Sequence, residues 1–174
     1  GFTKPTKLKQ RLGTYMRNSK DPYDTYSYIQ HFSKNQKLEL LFFFLLGDYA
    51  QYDKNIRFDH PKMISLIKQL GNTSTIGIHP SYASNKNSKM IGKEKQRLEH
   101  ILGKSVHHNR FHFLKFSLPK SYQQLLAYGI SDDYSMGYAD QIGFRAGTCT
   151  PFNFYDLEDE VQTERRRRPC GPSW

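Results

Sequence analysis

Two histidines lie in or directly after strand-like stretches of this sequence. His79 comes directly after the apolar run 75–78, and His112 lies two residues after Arg110. Neutral imidazole is a common ligand for zinc and similar ions, and the alternation of a strand would put Arg110 and His112 on one face. Taken alone, a histidine after a strand is more often a hydrogen-bonded structural residue, and the segment around His112 also fits a polar edge strand. The histidines are therefore candidate metal ligands, with a structural role as the alternative.

Two further segments carry charged side chains that could bind a carboxylate or stabilise developing charge. Arg145 stands between two glycines after an apolar stretch, and glycine lets the backbone approach a ligand closely. Asp132 and Asp133 are adjacent, so in an extended chain their side chains point to opposite faces and at most one enters a shared site. We expect Arg110 and Arg145 to orient carboxylates or stabilise an oxyanion, and Asp133 to tune one of these groups. An ordinary strand-to-loop turn is the alternative for the Arg145 segment.

The elements that would position these residues alternate between strand-like and helix-like stretches. Strand-like stretches cover 38–46, 75–78, 111–116, 130–136 and 142–144, and helical stripes cover 26–32, 61–70, 89–102 and 120–128. Such alternation predicts parallel βαβ units, in which ligand sites gather at the carboxyl ends of the strands. The sequence therefore predicts one α/β domain over residues 1–160. The arginine-rich segment 161–174 is predicted to be a disordered or non-native tail.

The composition and charge of the sequence disfavour several classes of protein. The net charge is +10, but four of the positive charges lie together at residues 165–168 and the rest are scattered, which disfavours a nucleic-acid-binding surface. No stretch approaches the roughly 20 apolar residues that cross a bilayer. Two cysteines do not make a disulfide framework, so a reduced, cytoplasmic protein is the expectation.

Six short motifs follow one another in a fixed order from residue 21 onward. They are Asp-Pro-Tyr-Asp-Thr-Tyr (21–26), Phe-Phe-Leu-Leu-Gly-Asp-Tyr (43–49), Gly-Ile-His-Pro-Ser-Tyr (77–82), Arg-Phe-His-Phe-Leu-Lys-Phe (110–116), Asp-Asp-Tyr-Ser-Met-Gly-Tyr (132–138) and Gly-Phe-Arg-Ala-Gly-Thr (143–148). Together they resemble a bacterial subgroup of polysaccharide deacetylases with NodB homology, a family of carbohydrate esterases.

The resemblance implies a partial or distorted (β/α) barrel that removes N- or O-acetyl groups from a polysaccharide or glycan precursor. Family members hold one divalent metal with an Asp and two His, and a second Asp is the general base. His79 matches the first His of the family's His-Ser/Thr-x-x-His-Pro motif, and Arg110 matches the Arg of its Arg-Pro-Pro-Tyr motif. Ala83 stands where the second His would fall, so His112 is inferred to replace it. Zinc is the expected ion.

One family motif is not found in this sequence. The Thr-Phe-Asp-Asp-Gly motif carries the metal-binding Asp and the base, and nothing in residues 1–20 supplies it. The barrel's first strand is therefore expected to be missing, and the chain as given is expected to be inactive or nearly so. A non-catalytic carbohydrate-binding relative that kept the barrel would explain Ala83 and the missing motif equally well.

Overall fold

The computed structural model describes residues 12–16, 21–156 and 160–167, and the chain forms two compact units, residues 1–40 and 41–174. The first unit contains a helical turn at residues 12–15 and helix α1, Tyr26–Gln36. Lys37 ends α1 in a left-handed conformation, with φ of 54°. The helix predicted from the spacing of residues 26–32 is confirmed.

The second unit is built on a parallel sheet with helices between its strands. The strands β1 (Leu41–Phe44), β2 (Thr75–Ile78), β3 (His108–Asn109) and β4 (Asp132–Asp133) lie in this order and are all parallel. The helices are α2 (Pro61–Gly71), α3 (Lys89–Leu102) and α4 (Lys120–Ala127). The prediction of an α/β fold with a parallel sheet is confirmed. Because the strands are parallel, their carboxyl ends meet at one edge of the sheet.

Local signals account for the two longest helices of this unit. α2 begins with Pro61, whose missing N–H costs nothing in the first turn, and the Nδ1 atom of His60 accepts a hydrogen bond from the Lys62 N–H at 3.2 Å. α3 ends at Gly103, which adopts a φ of 68° that favours glycine. Both helices pack on β2. The fully buried core side chains include Ile67, Leu70, Ile78, Leu98, Leu125 and Ile130.

The strand predicted at 111–116 is wrong. β3 ends at Asn109, and residues His112–Leu114 form a 3₁₀ turn. Phe113 and Leu114 have φ of 56° and 50°, in the left-handed region. A left-handed residue turns the chain and ends the period-two alternation of a strand. Arg110 and His112 therefore do not project from one face of a continuous strand.

The C-terminal segments also differ from the sequence expectation. The segment 142–144 forms no strand; Phe144 makes only an isolated antiparallel bridge with Gly137. An antiparallel pair, β5 (Phe152–Asp156) and β6 (Val161–Arg167), follows it. β6 lies within the predicted tail, and residues 168–174 lie outside the described part. The boundary placed after residue 160 stays a prediction.

Two compositional expectations can be compared with the described part of the chain. None of its helices is long and apolar enough to cross a membrane. Cys149 is exposed and forms no disulfide bond, whereas Cys170 lies outside the described residues.

Candidate functional site

His79 is the first residue beyond β2, at the carboxyl edge of the sheet. Its backbone N–H donates to the carbonyl oxygen of Phe44 at 2.9 Å, which continues the pairing of β1 and β2. Its Nδ1 is hydrogen-bonded to the carbonyl oxygen of Arg110. Because a carbonyl can only accept, Nδ1 carries the proton and Nε2 keeps a lone pair. Burial lowers the pKa of His79 from 6.5 to about 4, so the ring is neutral at pH 7.

The ring of His112 lies beside that of His79. The two ring centroids are 5.0 Å apart, at an interplanar angle of 53°. The Nδ1 atom of His112 is 2.9 Å from Oδ1 of Asp53. A carboxylate at this position holds the proton on Nδ1 and leaves the lone pair on Nε2. In both histidines, therefore, Nδ1 is hydrogen-bonded to a carbonyl or carboxylate oxygen, a contact that is common among metal-ligating histidines.

Asp53 was not identified from the sequence, yet it connects the two segments of the site. Only 1% of Asp53 is exposed, and the Oδ1 atom that receives His112 also accepts the backbone N–H of Tyr82 at 2.7 Å. Asp53 lies in the loop between β1 and α2, after the carboxyl end of a strand. That position is the one signal that could have suggested it. The carboxylate ties the loop that follows His79 to the turn that carries His112.

A second buried carboxylate, Glu94 on α3, holds the segment directly after His79. Glu94 is 1% exposed and accepts the Ser81 N–H at 2.9 Å as well as the Ser81 hydroxyl. Burial raises the pKa of Glu94. A Cβ atom added to Gly47 would lie 2.5 Å from the Cβ of Ser81, so the loop after β1 passes directly against this segment. The backbone that presents His79 is therefore fixed on two sides.

Asp133 is completely buried and its carboxylate accepts four hydrogen bonds. Its carboxylate accepts from the Asn109 amide at 2.6 Å, the Tyr122 hydroxyl at 2.9 Å and both the hydroxyl and the N–H of Ser135, at 2.8 and 3.1 Å. Burial raises the pKa of Asp133. The network joins β3, β4 and α4, and its hydrogen bonds include neither histidine. The predicted tuning of the site by Asp133 remains a prediction.

The two predicted arginines occupy different positions. Arg110 lies next to His79 in one pocket, and its Nη1 donates to the carbonyl oxygen of Tyr134 at 3.2 Å. Arg145 is exposed; its Nη1 donates to the carbonyl oxygen of Leu114 at 3.0 Å, and its guanidinium lies over the ring of Phe116 at 4.4 Å. Arg145 thus contacts the end of the turn that carries His112. The roles predicted for both arginines remain predictions.

The pocket beside His79 is open and partly aromatic. It has a volume of about 300 Å³, and its lining includes His79, Arg110, Phe113 and Tyr138. A larger pocket of about 540 Å³ lies near Phe58, with α2 and α3 residues in its lining, which is mainly apolar and contains neither histidine of the pair. The smaller pocket is the candidate site because His79 and Arg110 line it and Phe113, the residue after His112, lines it as well.

The histidine pair fits part of a metal centre. Imidazole nitrogens are ligands that zinc accepts, and such an ion takes at least three protein ligands in most catalytic sites. Within residues 12–16, 21–156 and 160–167, no three His, Cys, Asp or Glu side chains form a group that could hold a metal ion. Asp53 is hydrogen-bonded to Nδ1 of His112, so it can orient the ring but is not counted as a third ligand. The described residues therefore supply two candidate metal ligands and one carboxylate that is hydrogen-bonded to one of them.

Comparison with solved structures shows which known fold this chain resembles. A protein from Mycobacterium smegmatis, provisionally described as a polysaccharide deacetylase, superposes with a TM-score of 0.60 over 98% of this chain, at 11% sequence identity. The fold of this chain is similar to that of a polysaccharide deacetylase. The chain spans about half the length of that protein, 53%. At 11% sequence identity the similarity shows the fold alone and gives no information about the motifs.

Two further solved structures match smaller parts of the chain at lower TM-scores. IcaB from Ammonifex degensii has a TM-score of 0.48, with 14% identity over 67% of this chain and 56% of its own. A de-N-acetylase from Aggregatibacter actinomycetemcomitans has a TM-score of 0.46, with 12% identity over 79% of this chain and 73% of its own. No protein-family model and no curated protein matches the sequence.

Proposed function

We propose that this chain belongs to a metal-dependent deacetylase of acetylated glycans, in which His79 and His112 are two of the zinc ligands. The observation that carries the proposal is the histidine pair at the carboxyl edge of the sheet, with each Nδ1 held by an acceptor and each Nε2 left as a lone-pair nitrogen. The similarity of the fold to that of a polysaccharide deacetylase supports the substrate class.

Each residue of the proposed site has its own role. A divalent ion, when bound, supplies Lewis acidity at the acetyl carbonyl. His79 stays neutral near pH 7 because its pKa lies at about 4, so no proton competes for its Nε2. Asp53 fixes the tautomer and the orientation of His112. Arg110 lines the same pocket as His79, and we assign it the stabilisation of negative charge on the acetyl oxygen. Asp53 already receives two donors at Oδ1, so we do not assign it the role of general base, and we expect slow turnover by this chain alone.

A non-catalytic carbohydrate-binding protein is the second candidate. Two observations favour it: only two metal ligands come together in the described part of the chain, and exposed aromatic side chains, Phe113 and Tyr138, line the pocket. Such a protein would use the pocket for sugar rings and would not need zinc at the histidines.

Zinc titration by calorimetry at pH 7 separates the two candidates. We expect the wild type to bind one zinc ion, and His79→Ala and His112→Ala to weaken binding by more than the roughly 10–100-fold that loss of an outer partner costs. His107→Ala is the matched control, because His107 is exposed and its Nδ1 is 3.0 Å from the carbonyl oxygen of Gly129. Acetate release from an acetylated chito-oligosaccharide, with zinc or with chelator, then measures turnover.

The result that contradicts the proposal is a folded wild type whose zinc binding is absent, or is unchanged by both substitutions. In that case the histidines are structural and the carbohydrate-binding candidate is favoured.

A further inference from the structure

Three aromatic side chains gather beside His112 and form a surface that we term the aromatic platform: Tyr52, Tyr82 and Phe113. The ring centroids of Tyr52 and Tyr82 are 4.5 Å apart, those of Tyr82 and Phe113 are 5.8 Å apart, and those of Tyr52 and Phe113 are 6.4 Å apart. Tyr52 is 49% exposed and Phe113 is 57% exposed. Their exposed area is not used by the core of the unit. Clustered exposed aromatic area of this kind marks binding surfaces.

The backbone beneath the platform is in a costly conformation. Phe113 has φ of 56° and ψ of 16°, and Leu114 follows with φ of 50°. For residues other than glycine, the left-handed conformation costs roughly 1–2 kcal/mol each. Burial of Phe113 offsets this cost only in part, since the residue is 57% exposed. Retained strain of this kind is concentrated at ligand sites, and here it presents the Phe113 ring to solvent, 4.3 Å from the ring of His112.

A cationic side chain borders the platform. Lys115 donates from Nζ to the Tyr82 hydroxyl at 2.7 Å, and its ammonium lies 4.5 Å from the centroid of that ring. Its remaining N–H groups are donors for hydroxyl or carboxylate oxygens. Apolar faces bordered by such a donor match a pyranose ring, which has C–H groups on its faces and hydroxyl groups at its edge.

Hydrogen bonds and chain connectivity link the aromatic platform to the candidate metal ligands. One oxygen of Asp53 accepts both from the backbone of Tyr82 and from the ring of His112. Phe113 follows His112 directly, and it lines the pocket that contains His79. A ligand on the platform would therefore be held in a fixed position relative to the histidine pair.

We propose that the aromatic platform is a subsite for a pyranose ring, next to the acetylated sugar that would lie at His79 and His112. The proposal rests on the proposed function for the position of that acetylated sugar. The pyranose ring stacks on Phe113 and meets Tyr52, whose ring lies at 88° to that of Phe113, along its edge. Lys115 donates to an oxygen of the same sugar. The chain accordingly takes an oligosaccharide in preference to a monosaccharide.

The test is oligosaccharide binding by the full chain without metal, so that no turnover is needed. The probes are N-acetylglucosamine and its pentamers with β-1,4 and β-1,6 linkages, titrated by calorimetry. Phe113→Gly is the main variant, because it removes the ring while glycine adopts the left-handed conformation freely. Tyr52→Ala is the second variant. Tyr155→Ala is the matched control, because Tyr155 is 48% exposed and lies on β5, outside the platform.

We expect at least one pentamer to bind more tightly than the monosaccharide, each platform variant to weaken pentamer binding by roughly three- to tenfold, and the control to bind as the wild type does. Equal affinity of the platform variants and the wild type overturns the proposal, as does the failure of both pentamers to bind a folded wild type. Zinc titration of the same proteins keeps the two claims apart. If Phe113→Gly loses pentamer affinity and the wild type binds no zinc, the platform is supported and the metal site is refuted. If the wild type binds zinc and Phe113→Gly keeps its pentamer affinity, the metal site is supported and the platform is refuted.

Discussion

Replacement of Asp53 by asparagine tests whether this carboxylate orients His112. The two side chains have nearly the same shape, and both hydrogen bonds of Asp53, from the Tyr82 N–H at 2.7 Å and from His112 Nδ1 at 2.9 Å, use the single oxygen Oδ1. An asparagine with its oxygen at that position keeps both hydrogen bonds. The substitution therefore removes the negative charge behind the imidazole and little else.

The size of the effect follows from that change. Hydrogen bonds to charged groups are worth about 1.5–3 kcal/mol, against about 0.5–1.5 kcal/mol for neutral pairs, so roughly 1 kcal/mol is lost at each bond. Relief from burying a charge offsets part of this loss in the free energy of unfolding. Outer-shell substitutions lower metal affinity about 10–100-fold. We therefore expect Asp53→Asn to weaken zinc binding by about that factor and to lower the free energy of unfolding by less than about 2 kcal/mol.

The assay pairs zinc calorimetry with urea unfolding of the metal-free protein. Asp59→Asn is the control, because Asp59 lies in the same loop but is exposed and paired with Arg57 at 2.6 Å. An asparagine turned so that its amide faces His112 would move the imidazole proton to Nε2, and zinc binding would be lost entirely. Equal zinc affinity of Asp53→Asn and the wild type would refute the orienting role.

Three predictions concern stability, each measured by urea unfolding. Burial lowers the pKa of His79 from 6.5 to about 4, so the unfolded chain binds more protons than the folded chain between these pH values. The free energy of unfolding should therefore fall by up to about 3 kcal/mol as the pH drops from 6.5 to 4. A His79→Gln variant with the same pH dependence as the wild type would contradict this. Asp133→Ala should cost about 3 kcal/mol or more, since it leaves four buried donor contacts unpaired; a loss under about 1 kcal/mol would show that the network is not structural. Gly77→Ala should cost about 1–3 kcal/mol, because its Cβ would lie 2.5 Å from the Phe43 ring and 2.9 Å from the His108 carbonyl oxygen. The one close contact of a Cβ at Gly71 is with the end of the Leu102 side chain, at 2.7 Å, so equal losses in Gly77→Ala and Gly71→Ala would contradict the packing.

The elements that were predictable from the sequence have short-range causes. α3 was predicted with its observed bounds, Lys89–Leu102, because an apolar stripe and a terminal glycine lie within the same stretch of chain. β2 was likewise predicted as Thr75–Ile78, an apolar run between polar residues. The helix from Pro61 onward has a proline start and an inward face. In each case the residues that decide the structure are neighbours in sequence.

The parts that were missed depend on contacts between distant segments or on strain. Asp53 meets His112 across 59 positions of sequence, and no periodicity links the two. The segment at Phe113 alternates apolar and polar residues as a strand would, but the folded chain holds it in a left-handed turn. That turn brings His112 to His79 by a different route from the strand face that was expected. The pairing of the two histidines was thus anticipated, while the geometry that produces it was not.

The most direct test of the central claim is X-ray absorption spectroscopy at the zinc edge of the zinc-loaded protein. The account predicts two imidazole nitrogens at about 2.0–2.1 Å from the ion in the wild type and in the His107→Ala control. It also predicts fewer than two in His79→Ala and in His112→Ala, recorded at zinc concentrations that load the variants. A wild-type spectrum without imidazole ligands, or one that neither substitution changes, would contradict the assignment of these histidines as metal ligands.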